Sequence, residues 1–277
     1  MVDIRQSVYY AKYIEREGWI AERIDNTNYF IRKFPVIGSV LKVQRPKEID
    51  FDTVDKLCRK YRVFQIIIEP KDRNQEAGIM NRGYKLSKSP YLPSKTLQID
   101  LTKSKESIFK NFKKDARRAI KRGGVKIVKS YSSPNEIKAW RRVWKNSVSF
   151  NRMVAGEEQL INLRKSFPGS YSVFLASHNI SGSVIGGALF TRSSHDIAYY
   201  WYGFTNSEGR TSLSQYSLLW QGLLWAKKMG CKIFDFEGVY DERFPMKSWL
   251  GFSHFKKSFG GVEVLYPGAY VMNRLPL

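Results

Sequence analysis

Two lysines stand between phenylalanines in the stretch GFSHFKKSFGG, residues 251–261. A helix over 250–259, turning about 100° per residue, would place Phe252, Phe255 and Phe259 on one stripe. Lys257 would then point away, whereas Lys256 would fall roughly 65° from the stripe centre, at the edge of the apolar face. There an ammonium can reach into a cleft while its stem stays packed, and an ordinary snorkelling lysine would sit the same way. A second constellation lies in KIFDFEG. Strand alternation puts Ile233, Asp235 and Glu237 on one face and Phe234 and Phe236 on the other, so two carboxylates share a face near a strand's C-terminal end. Ligands bind at such ends in open α/β sheets, and a partly buried carboxylate there can have a raised pKa and take a proton from an amine. Capping a loop or pairing with a lysine is the competing role. In TSLSQYSLLWQ, Tyr216, Trp220 and Leu223 share a helical face, so Tyr216 lines a core and its hydroxyl needs a partner.

A third feature is charge. In KSKESIFKNFKKDARRAIKRGG, residues Ile108, Phe112, Ala116, Ala119 and Ile120 fall on one face of a helix over 104–122, which Gly123 and Gly124 end. Lys110, Lys113, Lys114, Arg117, Arg118, Lys121 and Arg122 cover most of the rest, with Asp115 the only acid among them. Like charges at helical spacing repel, so an anion-binding face, phosphate above all, fits better than plain solvation.

These features need elements to hold them. The chain opens with a helix over about 4–17, followed by three strands (WIAERI, NYFIRKF, GSVLKVQR), a helix (FDTVDKLCRKYR) and a buried strand (VFQIIIEP). Residues 71–95 lose periodicity and read as a surface loop. KTLQIDL, the basic helix and VKIVKS follow, and Ser133, Pro134 and Glu136 fit a capping box opening the next helix. The second half then repeats the order helix, three strands, long helix, strand. The closing YPGAYVM is too short to stand alone and must pair with an existing sheet.

Composition limits the function classes. At 277 residues the chain can form two ordinary domains, and 43% hydrophobic with 14% aromatic residues rules out disorder. The +22 net charge therefore belongs to a folded surface and calls for anionic partners: nucleic acid, pyrophosphate-bearing metabolites or an acidic membrane. Cys58 and Cys231 form no disulfide scaffold, and with His178, His195 and His254 they give no metal-ligand spacing, so a reducing, metal-free setting is expected. No segment approaches 18 uninterrupted apolar residues and the N-terminus is broken by charges, so neither a membrane span nor an export signal is expected.

In order along the chain, IRQSVYYAKYIEREGW, KVQRP, IDL with KKDARRAIKRGGVKI, WAKKMGCKIFDFEGV, HFKKSFGG and the closing YPGAY resemble motifs of the Fem family of peptidoglycan-bridge aminoacyltransferases. The resemblance implies an α/β fold of two GNAT-like domains with mixed sheets. The first would be residues 1–131, with 264–277 returning to complete it, and the second residues 132–263. It implies transfer of an amino acid from aminoacyl-tRNA to an amine of a peptidoglycan precursor stem peptide, UDP-linked or lipid-linked. It further implies a cytoplasmic monomer in peripheral contact with an anionic membrane and without a cofactor. By motif, Lys256 corresponds to a lysine stabilising charge at the reacting ester or the tRNA end, and Tyr216 to a substrate-contacting tyrosine. Asp235 is the candidate proton acceptor, Phe255 and Lys12 are candidate substrate contacts, and Lys113, Lys114, Arg117, Arg118 and Lys121 are candidate tRNA contacts. The chain departs from the pattern at Ile14, where some members have a lysine contacting precursor phosphate, and at Ala155 and Gln159. Two other readings stay open, an acyl-CoA-dependent N-acyltransferase and a non-catalytic RNA-binding module. Against the first, GRTSLSQY lacks the glycines with which acetyl-CoA transferases of this fold hold pyrophosphate.

Overall fold

The computed structural model describes residues 2–122, 127–149, 152–193 and 196–274 and divides into two α/β units. The expected stop at Gly123–Gly124 and His195 lie outside the described residues.

In the first unit, helix α1 (Val8–Arg16) starts where the Ser7 hydroxyl accepts a hydrogen bond from the Tyr10 amide, after a separate turn over Ile4–Gln6 capped by Asp3. The single helix expected over 4–17 is thus split by its own cap. Strands β1 (Ile20–Ile24), β2 (Thr27–Phe34) and β3 (Gly38–Gln44) form an antiparallel meander. Helix α2 (Phe51–Tyr61), capped by Asp50, then leads to β4 (Val63–Glu69), which lies parallel to β3. Short elements α3 (Glu76–Met80) and β5 (Lys85–Leu86) follow. The last strand, β13 (Tyr270–Asn273), returns to pair antiparallel with both β4 and β5, giving the order β1-β2-β3-β4-β13-β5. Tyr29, Ile31, Leu41, Val43, Ile66 and Ile68 from the sheet pack against Val54 and Leu57 of α2. Residues 71–95 are more than a surface loop: Ile79 and Tyr84 join this core, where two isolated apolar side chains give no readable period.

The second unit holds β6 (Lys95–Asp100), α4 (Lys105–Lys110), α5 (Lys114–Arg122), β7 (Ile127–Tyr131), α6 (Pro134–Ser147) and α7 (Glu157–Ser166). Strands β8 (Ser172–His178), β9 (Val184–Arg192) and β10 (Ile197–Thr205) follow, then α8 (Ser207–Thr211), α9 (Ser214–Lys228), β11 (Ile233–Gly238), α10 (Leu250–Lys257) and β12 (Val262–Leu265). The sheet order is β12-β6-β11-β10-β9-β8-β7, antiparallel from β7 through β10 and parallel between β10 and β11. Each unit therefore runs an antiparallel meander and then crosses by a helix to a parallel strand. The fold class is α/β with two mixed sheets, and the capping box of Ser133 and Glu136 opens α6.

The boundary differs from a division at 131/132. The first unit is Met1–Thr96, Gly238–Trp249 and Val264–Leu277, and the second is Leu97–Glu237 and Leu250–Glu263. Residues 97–131 join the second unit because β6 is hydrogen-bonded between β12 and β11. The basic segment is also two helices, not one. At the break, the Lys113 amide donates to the Ser258 carbonyl (2.8 Å), and Phe112, 2% exposed, packs against the rings of Trp220 and Phe259 at 5.5 and 5.1 Å.

Candidate active site

A pocket of about 300 Å³ opens in the second unit, walled by Tyr200, Phe204, Leu213, Tyr216, Phe252 and Phe255. Strand β10 supplies one side, and a bulge between Tyr200 and Tyr202 shifts its register there. Gly203 is required at this point: a Cβ would lie 1.8 Å from the Tyr200 hydroxyl. That hydroxyl accepts a hydrogen bond from Gln215 Nε2 at 2.6 Å, and burial raises its pKa far above the ordinary tyrosine value, so it stays neutral. The other wall is the start of α9, where Leu213 takes a left-handed conformation (φ +56°). Tyr216 follows, half-buried, its ring against Phe255 (4.8 Å) and Phe259 (5.6 Å), and its hydroxyl has no hydrogen-bond partner among the described residues.

Behind this wall lies Lys256, which is 8% exposed. Its Nζ donates to the Phe236 carbonyl at 2.7 Å and stands 5.0 Å from the Phe252 ring centre and 5.5 Å from that of Tyr200. Burial lowers the Lys256 pKa to about 8, against the opposing pull of Glu237 and Asp235. At neutral pH the ammonium form still prevails by roughly tenfold. Asp235 is 2% exposed; its Oδ2 accepts from Gln98 Nε2 (2.8 Å) and its Oδ1 from the Glu237 amide (2.7 Å). Glu237 has φ +59°, so the strand pleat ends there and the face it was expected to share with Asp235 is not set by alternation. What joins the two carboxylates is their common effect on Lys256.

Helix α10 stops at Lys257, leaving Phe259 beyond it, and its buried face carries Ser253 and Lys256 while Phe252 and Phe255 are half-buried at the pocket. Lys256 thus sits on the inner face and not at a rim. The Phe236 carbonyl and the two carboxylates give its ammonium a polar lodging that a helical wheel cannot see. Lys257 forms an ion pair with Glu263 at 2.7 Å. Gly260 (φ +71°) and Gly261 (φ +97°) turn the chain back along β6, where a Cβ on Gly261 would lie 2.7 Å from the Gln98 carbonyl oxygen.

The remaining candidates fall into two groups. Lys113, Lys114, Arg118 and Lys121 are exposed at and along α5, while Arg117 is half-buried and donates to the Lys110 carbonyl; Ala116 and Ala119 face inward. Lys12 is exposed on α1 of the first unit. Ala155 is buried, and Gln159 accepts from the Gly156 amide. Sequence reading missed Tyr200, Gly203 and Gln215. The available signal was the lone glycine inside YYWYGFT, which marks a bulge or a close approach in a strand.

Amides at the β10–α9 turn are largely taken. Gly209 N donates to Asn206 Oδ1 (2.8 Å), Arg210 N to the Asn206 carbonyl (3.0 Å), Ser212 N to Glu208 (2.9 Å) and Leu213 N to Arg210 (3.2 Å). Among the described residues, no group of three or more His, Cys, Asp or Glu is placed to hold a metal, and no helix is long and apolar enough to cross a membrane.

No protein-family model and no curated protein matches the sequence. Among solved structures, the crystal structure of FemX aligns over 98% of this chain and 92% of that chain with a TM-score of 0.83 at 15% identity. The chain has the FemX fold. L-PGS from Bacillus licheniformis aligns over 98% of this chain and 88% of that one (TM-score 0.62, 12% identity). A tandem GNAT protein from the clavulanic acid biosynthesis pathway aligns over 89% and 82% (TM-score 0.55, 11% identity). The FemX fold thus carries a pair of GNAT-like units here too, and in this chain the pocket and Lys256 both belong to the second.

Proposed function

We propose that this protein is an aminoacyltransferase that moves an amino acid from aminoacyl-tRNA to an amine of a peptidoglycan precursor stem peptide. One observation carries the reading: Lys256 is a cation held out of water directly behind an aromatic pocket, where charge is worth most to a reaction and least to stability. The acceptor amine attacks the ester carbonyl, the new C–N bond forms, and the bond to the ribose oxygen breaks as that oxygen takes up the proton the amine loses. Lys256 stabilises the negative charge that develops on the carbonyl oxygen. Its Nζ is fixed by the bond to the Phe236 carbonyl. Positioning supplies much of the remaining acceleration, because an aminoacyl ester already reacts with amines. Tyr216 and Phe255 contact the donor, the α5 cations hold tRNA phosphates, and Lys12 contacts the precursor.

We give Asp235 a different part in this reading. With both oxygens engaged and almost no exposure, it acts on Lys256 as a fixed countercharge instead of taking the amine proton itself. An acyl-CoA donor is disfavoured because the turn that would cradle its pyrophosphate has spent most of its amides internally. The test is to offer labelled acetyl-CoA and charged tRNA separately with a stem-peptide acceptor. Only the charged tRNA is expected to be consumed, and Lys256→Met is expected to abolish that consumption. Consumption of acetyl-CoA, or full transfer by the variant, would refute the proposal.

A further inference from the structure

The tip of the β2–β3 hairpin in the first unit is built against its own solubility. Phe34, Pro35, Val36 and Ile37 are all exposed there, Val36 at 96% and Ile37 at 59%. Val36 adopts φ +68°, a conformation that a β-branched residue resists and that Asn or Gly would take without penalty. The tip is nonetheless held firmly. Phe34 packs against Phe64 at 6.1 Å, and the Ser39 amide donates to the Arg62 carbonyl at 3.0 Å. Gly38 (φ +115°) allows that approach, since a Cβ would lie 2.3 Å from the same carbonyl oxygen. A rigid, strained turn offering only apolar groups is not an ordinary hairpin end, where polar turn residues prevail.

Around its base the side chains are cationic. Lys33 precedes the tip on β2, and the end of α2 brings Arg59, Lys60 and the left-handed cap residue Arg62 beside Gly38 and Ser39; all four are exposed. Of the acids on the adjoining elements, Glu22 is ion-paired to Lys60 at 2.6 Å and Asp55 to Arg274 at 3.0 Å, while Asp52 lies in the first turn of α2, at its far end, and Glu15 and Glu17 lie at the end of α1. Basic residues also suit a helix C-terminus, but that accounts for the end of α2 and not for the apolar tip.

We propose that this hairpin seats the protein on an anionic bilayer, with Val36, Ile37 and Phe34 entering the headgroup–acyl boundary and Lys33, Arg59 and Arg62 meeting lipid phosphates. Apolar burial combined with attraction to anionic lipid is the physics of an interfacial anchor. A second copy of the chain fits poorly, because two bodies of +22 repel. RNA would engage the cations and leave the aliphatic tip in water. The inference does not rest on the transferase reading.

The test is sedimentation of the full chain with vesicles of phosphatidylcholine plus phosphatidylglycerol, and with vesicles of phosphatidylcholine alone. Binding to the anionic vesicles is expected to fall by about tenfold or more in Val36→Asn/Ile37→Ser, since the lost apolar area is the anchor. The thermal midpoint should hold, because Asn tolerates positive φ and neither side chain is packed. Lys33→Gln/Arg62→Gln should weaken anionic binding and leave the weak neutral binding unchanged. Because Cys58 and Cys231 are buried, Ile37→Cys can carry an environment-sensitive fluorophore on an otherwise native chain, and its emission should shift to the blue on anionic vesicles. Undiminished binding by Val36→Asn/Ile37→Ser would assign adhesion to the general positive surface and overturn the proposal. So would an unshifted fluorophore, or an emission shift seen only with tRNA or only in a concentration-dependent dimer.

Discussion

Replacing Lys256 with Met separates function from stability, and the structure gives the size of the effect. The Lys256 pKa falls from 10.5 to about 8 on folding. Holding the ammonium charged in the fold at neutral pH therefore costs about 3 kcal/mol relative to the unfolded chain. Methionine fills a similar volume and loses the bond to the Phe236 carbonyl, worth about 1 kcal/mol. The variant should thus gain about 2 kcal/mol of stability near pH 7 while losing transfer activity. The pH dependence follows from the sign of the shift. The folded state releases its proton first, so between about 8 and 10.5 the unfolded state binds more protons and wild-type stability rises with pH. The advantage of Lys256→Met should be complete below about 8 and shrink as pH climbs through that window. Urea denaturation of both proteins near pH 7 and at about pH 9.5 measures it. A variant destabilised by about 2 kcal/mol or more near pH 7 would make Lys256 a structural cation and refute the reasoning. So would a gap that does not change with pH.

Transfer catalysed by the ammonium form should lose rate as pH rises through about 8, giving a falling limb in the pH profile of kcat/KM. Gly203→Ala would drive a methyl group into the Tyr200 hydroxyl and the Gln215 amide, 1.8 and 2.6 Å from the new Cβ; a loss of about 1–3 kcal/mol in thermal unfolding and weaker donor binding are expected. Tyr216→Phe should leave stability unchanged, since its hydroxyl bonds to no described residue, and raise KM if that hydroxyl meets substrate. Exchanging Lys113, Lys114 and Lys121 for Gln should flatten the dependence of log affinity for tRNA on log salt by about 0.7–0.9 per lost phosphate contact.

The order of elements and the mixed α/β class were legible because each half has a complete set of period-2 and period-3.6 patterns with caps such as Ser133 and Asp50. The boundary at 131/132 was not, because β6 joins its sheet through partners far along the chain. The basic segment reads as one helix on a wheel, and only the bond from Lys113 to Ser258, distant in sequence, breaks it. At the site, the phenylalanines of α10 pointed to an apolar face, but the face that is buried carries a lysine. No periodicity argument can foresee that, since it depends on a carbonyl of β11 bonding the ammonium and on the charges of two β11 carboxylates acting on it.

The two units treat the ends of their matching strands differently. In the first, the end of β3 is closed by its own side chains: Arg45 reaches Asp3 Oδ2 at 3.1 Å and the Pro93 carbonyl at 2.7 Å and stacks on Tyr266, while buried Glu69 accepts from Gln44 and from the Leu92 amide. Asp3 and Arg45 pair with each other and Glu69 is held by two neutral donors, so these side chains tie the segments of the first unit together. In the second unit, the matching strand β10 bulges at Tyr200–Tyr202, Gly203 stays bare, and aromatic rings frame open space in front of a cation. A side chain on Gly203 would push Tyr200 and Gln215 out of that wall, so the substitution that destabilises the second unit should also distort the pocket.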